Sequence, residues 1–327
     1  MKPDHLVKVL ADHGVASRRG SERMVREGLV TVDGEVVNDP GLIVDVRAQK
    51  ILIDKVPLPS RPDPIYLVMH KPRGVINSKI DPEGRDTVYD LIVDKTSGLE
   101  TVGRLDYGSE GVLLVTNDGE MAYRLTHPGY GVTKTYLAKV SGTPDKRKLA
   151  QLAKGVILDD GPTSAARVEL VSTVGPSSWV LLTIHEGRNR IVRRLMDAVG
   201  HRVLKLKRVG FGGLTLRGLE PGQCRSLSSG ELTHLRRLIK EPGPPVLKVS
   251  YEVRRGVAEA LRLPTPDREL EEKQRARDEE GRPYRKKGWA RPKARKGAKP
   301  GAKFKSRRTS VGPRGTKARG GKGRGRK

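Results

Sequence analysis

The sequence has a single cysteine, Cys224, among 327 residues. One cysteine cannot form an intrachain disulfide, a CxxC redox pair or a zinc finger. No run approaches the roughly 18 apolar residues that a membrane-spanning helix requires, and the N-terminus lacks the apolar core of an export signal. These absences argue against export and against a membrane-spanning helix, and they favour the reducing cytoplasm.

Several motifs of known chemistries are also missing. The sequence contains no GxxxxGK[ST] phosphate loop, no HExxH zinc motif and no GxSxG nucleophile motif. Its seven histidines show no metal-ligand spacing with carboxylates or with the cysteine. The sequence therefore indicates neither a metal nor a nucleotide cofactor.

Acidic residues are absent from the C-terminal end. Lys and Arg total 65 against 38 Asp and Glu, a formal net charge of +27. Residues 281–327 hold 20 of the basic residues and no acidic ones, which leaves 45 basic and 38 acidic residues elsewhere. A basic excess predicts a polyanionic partner, such as nucleic acid or an acidic membrane face. The body of the chain is ordinary in charge and carries a basic tail.

A proline-rich stretch divides the chain. Residues 57–64, PLPSRPDP, contain four prolines in eight positions, which favours an extended, semi-rigid linker. We therefore predict a small domain over residues 1–58, a linker over 59–64 and a second domain over 65–245.

The remaining residues, 246–327, are predicted to form a charged, mostly disordered extension. Residues 267–280 are almost all polar and could form a charged helix, whereas 281–327 have too few apolar residues to offset the entropy lost on folding. This tail either adds nonspecific RNA affinity or is a dispensable, solubilising extension.

The first domain has the pattern of two helices followed by short strands. Ser17 is a candidate N-cap of the second helix, Asp33-Gly34 marks a hairpin turn, and Ile51–Ile53 has the pattern of a strand. The second helix carries an outward strip of four arginines, Arg18, Arg19, Arg23 and Arg26. Such a strip is either a solvated helix face or a phosphate-binding face.

The second domain mixes strands and helices of several lengths. Strands are predicted at IYLVMH, at Val112–Thr116, and in VTKTYLAKVSG and SSWVLLTIHEG, with helices at MAYRLTHP and over Asn189–Val199. This arrangement favours a mixed α+β fold over regular βαβ winding.

Asp106 is the strongest local anomaly, because it lies among glycines in GRLDYGSEG, directly before a buried strand. A carboxylate there would lie at a sheet edge, within reach of a substrate. The residues alone also allow ordinary roles. Asp106 could bond its own backbone in a turn, Arg193 could pair with Asp197, and Tyr136 could be a half-buried strand aromatic.

The second domain contains, in order, HKPRG, GRLDYGSEGVLLVTNDG, KTYLAKVSG and EGRNRIVRRLMDAVGHRVLKLKRVGFGGL. These segments resemble the signature of the RsuA/RluB family of bacterial ribosomal RNA pseudouridine synthases. The first domain resembles the S4 RNA-binding domain, through KVLADHGVASRR, REGLVTVDGEVV and ILIDKVPL. The resemblance covers about residues 5–235 and implies an S4-like domain followed by a mixed-sheet catalytic domain.

The resemblance also implies roles for site residues. Asp106 is the expected catalytic carboxylate, kept ionised by a bidentate contact with Arg193. Tyr136 is expected to stack on the flipped base, and it either only stacks or also helps to remove the C5 proton. Ser109 keeps the serine of the family pattern, whereas Ile191 stands where many relatives have glutamine and cannot make its polar contact. The isomerisation consumes nothing, so no cofactor, ATP or metal is expected.

Candidate RNA contacts lie in both domains. Four basic residues flank the catalytic motifs and are either phosphate ligands of the extruded nucleotide or ordinary surface charges: Lys71, Arg73, Arg104 and Lys134. In the first domain, Ser17 and the arginine strip are expected to contact the RNA backbone.

The implied function is uridine isomerisation by a cytoplasmic monomer, with ribosomal RNA or a ribosome assembly intermediate as partner. A 23S target is expected, because GRNR and the long basic tail look more like the RluB branch than the RsuA branch. The alternatives are a 16S target and a noncatalytic RNA-binding assembly protein with the same fold. The set Asp106, Tyr136 and Arg193 favours the enzyme, since phosphate binding requires none of the three.

Overall fold

The computed structural model describes residues 2–92, 98–240, 247 and 249–263. These residues lie within one unit, Met1–Arg277. In this described part, no helix is long and apolar enough to cross a bilayer. The predicted tail over 281–327 and the charged segment 267–280 lie outside the described residues.

The N-terminal part packs two short helices against small antiparallel strands. Its helices are α1 (Leu6–Asp12) and α2 (Arg18–Arg26). Its strands are β1 (Asp4–His5), β2 (Val30–Val32), β3 (Glu35–Val36), β4 (Ile43–Val44), β5 (Ile51–Ile53) and β6 (Val56–Pro57). The strands pair in the order β3-β2-β5-β6, with β1 beside β4. The buried residues of both helices share a core with those of the strands.

Local sequence explains where α2 begins and where the chain turns between β2 and β3. The Ser17 hydroxyl accepts a hydrogen bond from the Gly20 amide, so it caps the start of α2. Asp33 and Gly34 have φ angles of 54° and 92°, the conformation of a tight turn that matches the twist of the strands it joins. The predicted cap and hairpin are therefore confirmed.

A mixed sheet of eight strands forms the rest of the described fold. Its strands are β7 (Tyr66–Lys71), β8 (Glu100–Val102), β9 (Ser109–Thr116), β10 (Lys134–Ser141), β13 (Arg167–Val174), β14 (Ser177–Ile184), β15 (Val203–Phe211) and β16 (Cys224–Ser226), and a separate hairpin pairs β11 (Ile157–Leu158) with β12 (Gly161–Pro162). The order is β13-β14-β10-β15-β9-β7-β16, with β8 beside β9. Only β15 and β9 run parallel among these neighbours. The predicted mixed α+β fold is confirmed.

Helices bury both faces of this sheet. They are α3 (Gly119–Thr126), α4 (Lys146–Lys154), α5 (Ile191–Ala198), α6 (Ser229–Lys240) and α7 (Tyr251–Leu261), with a 3₁₀ turn at Pro128–Tyr130. On β10, Ala138 packs in one core with Leu195 of α5, and its neighbour Leu137 packs in another with Val253 of α7. Strand residues alternate between faces, so the middle of the sheet is buried on both sides.

Helix α7 corrects the predicted extent of the disordered extension. Ser250 caps the helix, and Val253 and Val257 pack against the sheet. The two valines lie one helical turn apart, which is the spacing of a buried stripe. The surrounding sequence is polar, so its composition did not indicate this short apolar stripe. The predicted end of the second domain at residue 245 was therefore too early.

Candidate active site

Asp106 lies in the turn that leads into β9. Its carbonyl oxygen accepts a hydrogen bond from the Ser109 amide at 3.0 Å. Its carboxylate is partly exposed and makes no hydrogen bond with the described residues. The alternative of a turn residue whose side chain bonds its own backbone is therefore not supported. A ligand at this carboxylate would therefore displace no hydrogen bond from the described residues.

A buried lysine fixes the backbone of this turn. Lys71, at the end of β7, is 0% exposed. Its ammonium donates to the carbonyl oxygens of Pro72, Asp106 and Ser109 at 3.0, 3.2 and 3.1 Å. Burial lowers the pKa of this ammonium group to about 8, and the charge of Asp106 raises it in part. Charge-assisted bonds of this kind hold the Asp106 turn in place.

Two arginines at the start of α5 flank the carboxylate. Arg190 Nη1 lies 3.8 Å, and Arg193 Nε 4.0 Å, from the same oxygen, Asp106 Oδ2. The side chain of Arg190 is 53% exposed, that of Arg193 only 16%. Since Coulomb attraction strengthens as water is removed, Arg193 is the better placed of the two to attract the Asp106 carboxylate.

The predicted bidentate contact between Arg193 and Asp106 is wrong. Two nitrogens of the guanidinium donate instead to the carbonyl oxygens of Val203 and Gly108, at 3.2 and 3.5 Å. These bonds hold the side chain beside the carboxylate without a hydrogen bond to it. The alternative pairing with Asp197 does not form within 4 Å in the described structure. Burial and the charge of Arg190 lower the pKa of Arg193, and Asp106 raises it.

Asp106 and Tyr136 line one cavity of about 240 Å³. Tyr136 is half-buried on β10, where it lies opposite Arg208 of β15. The apolar part of the wall comes from Val102, Leu105, Ile191, Leu206 and Phe211. A carboxylate and an aromatic ring thus share a pocket with charged and apolar walls, into which a flat base could insert. At position 191, isoleucine contributes to this apolar wall.

The four predicted phosphate ligands fall into two pairs. Arg73 and Arg104 are exposed, and Arg104 lines the cavity beside Asp106. Lys71 is fully buried on backbone carbonyls, so the structure does not support a phosphate-binding role for it. Lys134 is 6% exposed, lines the cavity, and donates to the His185 carbonyl at 2.8 Å. Lys134 is therefore placed to contact a ligand inside the cavity, not a phosphate on the protein surface.

The arginine strip of α2 is exposed, as predicted. Arg23 lies 3.9 Å from Glu27, and Arg26 lies 2.9 Å from Glu22. Such exposed pairs are worth only about 0.3 to 0.5 kcal/mol, so they yield easily to a phosphate. Arg18 and Arg19 are exposed too and make no ion pair with the described residues. Ser17 is engaged as the helix cap, at 3.2 Å from the Gly20 amide.

Two arginines of the site, Arg190 and Arg208, were not predicted from the sequence. Arg190 lies three residues before Arg193, a spacing that could have indicated a shared face, but it adopts a left-handed φ of 49° just before α5. Arg208 lies in an alternating strand, LKLKRV, that has the pattern of a half-exposed edge. Its burial depends on the pairing of β15 between β10 and β9, which no local pattern predicts.

Comparison with known proteins agrees with this geometry. Residues 65–198 match the family described as RNA pseudouridylate synthase, and residues 6–50 match the S4 domain. The chain is 44% identical over 237 residues to a protein of Bacillus subtilis (strain 168) named ribosomal large subunit pseudouridine synthase B, covering 72% of this chain and 96% of that relative. A Salmonella typhi protein of the same name is 38% identical over 256 residues, covering 76% of this chain and 88% of that relative.

One solved structure is similar over nearly its whole length. A crystal structure of a pseudouridylate synthase matches with a TM-score of 0.52 at 28% sequence identity. The match covers 71% of this chain and 99% of that chain.

Proposed function

The chain belongs to the RNA pseudouridylate synthase family, and we propose that it isomerises a uridine of large-subunit ribosomal RNA to pseudouridine. The observation that carries this proposal is the open carboxylate of Asp106, placed beside two arginines in the cavity that Tyr136 lines. The names of the two relatives support the large subunit as the target. A binding protein would need no such carboxylate, since anionic RNA repels it.

The reaction takes place in three stages at this site. The C1′–N1 bond of uridine breaks, the base turns, and C5 forms a new bond to C1′. Asp106 either attacks C1′ or removes the C2′ proton, and in both cases the bonding electrons leave with uracil. The apolar side chains of the cavity wall cover part of the base and would help to retain it while it turns. A base can reach this cavity only after leaving its stack.

We assign the N-terminal part to RNA docking. Residues 1–58 form an S4-like domain, 59–64 the linker, and the catalytic domain starts at 65. The exposed arginines of α2 contact the phosphate backbone by charge and shape, not by base sequence. The enzyme acts as a monomer in the cytoplasm, on ribosomal RNA or an assembly intermediate.

Tyr136 is expected to act mainly through its ring. Tyr136→Phe keeps the stacking surface and should retain most of the activity, whereas Tyr136→Ala should lose about 1 to 3 kcal/mol of base stacking, roughly 5- to 150-fold in kcat/KM. Steady-state kinetics on one RNA substrate compares the two variants. If Phe costs as much as Ala, the hydroxyl takes part in the chemistry and a stacking role alone is wrong.

Arg104 is expected to contact a phosphate, whereas the buried Lys134 is not. Arg104→Ala should reduce the slope of log Kobs against log salt concentration by about one, because one fewer counterion is released. Lys134→Met serves as the control and should leave the slope unchanged. Fluorescence anisotropy with a ribosomal RNA fragment at five salt concentrations measures both slopes. An unchanged slope for Arg104→Ala would show that Arg104 is an ordinary surface charge and contacts no phosphate.

Purified protein with transcribed 23S and 16S RNA tests the proposed function. We expect pseudouridine at one uridine of 23S RNA and none in 16S RNA. Pseudouridine in 16S RNA alone would establish the enzyme and refute the large-subunit target. Binding without product on either RNA, or on large-subunit assembly intermediates, would favour the noncatalytic assembly protein.

A further inference from the structure

Two buried cations of the cavity wall have no carboxylate partner. Arg208 is 3% exposed and Lys134 is 6% exposed. Among the described residues, neither has an aspartate or glutamate oxygen within 4 Å. A buried charge without a counter-charge costs several kcal/mol. Such a pair therefore requires a functional explanation.

The guanidinium of Arg208 is only partly satisfied by the protein. Its Nε donates to the Val112 carbonyl at 2.7 Å, and its charge lies 5.0 Å from the centre of the Phe211 ring. Its Nη2 atom is buried and has no hydrogen-bond partner. Most buried donors in folded proteins are paired, so an orphan donor on a residue that lines the cavity requires an explanation.

The backbone at Arg208 is fixed by a glycine on the neighbouring strand. Gly111 of β9 has a φ of 125°, and a Cβ atom there would lie 2.1 Å from the Arg208 carbonyl oxygen. No other residue permits β9 and β15 to pair at this point. On the other side of β15, Arg208 lies opposite Tyr136. The sheet thus holds this guanidinium in the same cavity as Tyr136 and Asp106.

The other charged groups of the site do not remove the need for a cation here. Arg190 and Arg193 flank the carboxylate of Asp106. The other carboxylate of the cavity lining, Glu186, pairs with Arg188 at 2.9 Å. Burial, together with the charge of Arg208, lowers the pKa of Lys134 to about 8, so its ammonium remains largely protonated at pH 7. The wall therefore presents two positive charges that Asp106 does not neutralise by contact.

The proposed reaction produces an anion in this cavity. When the C1′–N1 bond breaks, both electrons stay with uracil, and the charge spreads over N1, O2 and O4. The same anion forms whether Asp106 attacks C1′ or removes the C2′ proton. C5 then uses an electron pair to bond C1′, as Asp106 either leaves C1′ or returns the proton to C2′. The base afterwards loses the C5 proton and gains one at N1. Preorganised positive charge lowers the barrier to the first step.

We propose that Arg208, with Lys134 beside it, stabilises the negative charge of the detached uracil. This inference rests on the proposed function. Neither cation gives up a proton in the step, because each acts by its fixed charge and its free N–H donors. The two residues therefore act on the detached base by their positive charge, from the wall of the cavity that the base enters.

The test compares two leaving groups. Arg208→Met should slow single-turnover loss of the N-glycoside about 100-fold on a uridine-containing 23S RNA fragment, the usual cost of one preorganised donor. On the same RNA with 5-fluorouridine at the target, the loss should be smaller than about tenfold, because fluorine stabilises the anion by itself. Equal losses on the two RNAs, or a wild-type rate on uridine, would overturn the proposal.

Controls separate this result from misfolding and from failure of the proposed function. Arg225→Met removes a half-buried guanidinium of β16 that pairs with Glu231 outside the cavity, and it should leave both rates unchanged. Lys134→Met is measured in the same way if Arg208→Met does not fold, and it should show the same dependence on the leaving group. A wild-type protein that forms no pseudouridine would refute the proposed function itself.

Discussion

Asp106→Asn is expected to reduce the single-turnover rate of pseudouridine formation at least about 10⁴-fold, while the dissociation constant for RNA changes less than about threefold. Asparagine has nearly the shape of aspartate but neither attacks C1′ nor takes a proton. The Asp106 turn is held by its carbonyl oxygen, through Lys71, and this bond does not involve the carboxylate. The substitution therefore removes the reactive group and leaves the backbone in place.

Asp86→Asn is the control for the loss of one negative charge. Asp86 is exposed, and its carboxylate makes no hydrogen bond or ion pair with the described residues. Asp86→Asn should keep the wild-type rate and the wild-type affinity. A rate for Asp106→Asn within tenfold of wild type would rule out a catalytic role, and a parallel loss of RNA binding would assign the residue to binding.

Arg193→Met is expected to slow the reaction by about 10² to 10³-fold, whereas Arg190→Met should cost less than about tenfold. Both groups lie about equally far from Asp106 Oδ2, at 4.0 and 3.8 Å. They differ in exposure, and water screens the attraction of the more exposed Arg190. Burial, not distance, sets the expected order of the two variants.

Single-turnover rates of folded protein test this order. Arg193 also donates to the Val203 carbonyl, so its replacement is expected to lower the melting temperature. Urea unfolding measures the folded fraction, by which each rate is divided. Equal losses for the two variants, or a larger loss for Arg190→Met, would contradict the role given to burial.

Much of the site follows from local sequence. The glycines around Asp106 predict a tight turn before a strand, and the structure has one. The Asn189–Val199 pattern predicts the helix that carries Arg193, which the structure begins at Ile191. Local spacing suffices for these features, because turns and amphipathic helices are decided by neighbouring residues.

The rest depends on contacts between distant segments. Lys71 and Lys134 look like surface charges, because a lysine at a strand end is usually solvated. Their burial results from carbonyl groups that lie 35 to 51 residues away in sequence. Arg208 is buried for the same kind of reason, since its Nε partner, Val112, is 96 residues away. The cationic wall of the cavity thus arises only from strand order.

Mapping pseudouridine in cells shows whether this protein modifies 23S RNA through Asp106. A strain that lacks this protein would express either wild type or Asp106→Asn, and carbodiimide-blocked primer extension would read both ribosomal RNAs. We expect one uridine of 23S RNA to be modified only in the strain that expresses the wild-type protein. Identical maps for the two strains would contradict this expectation.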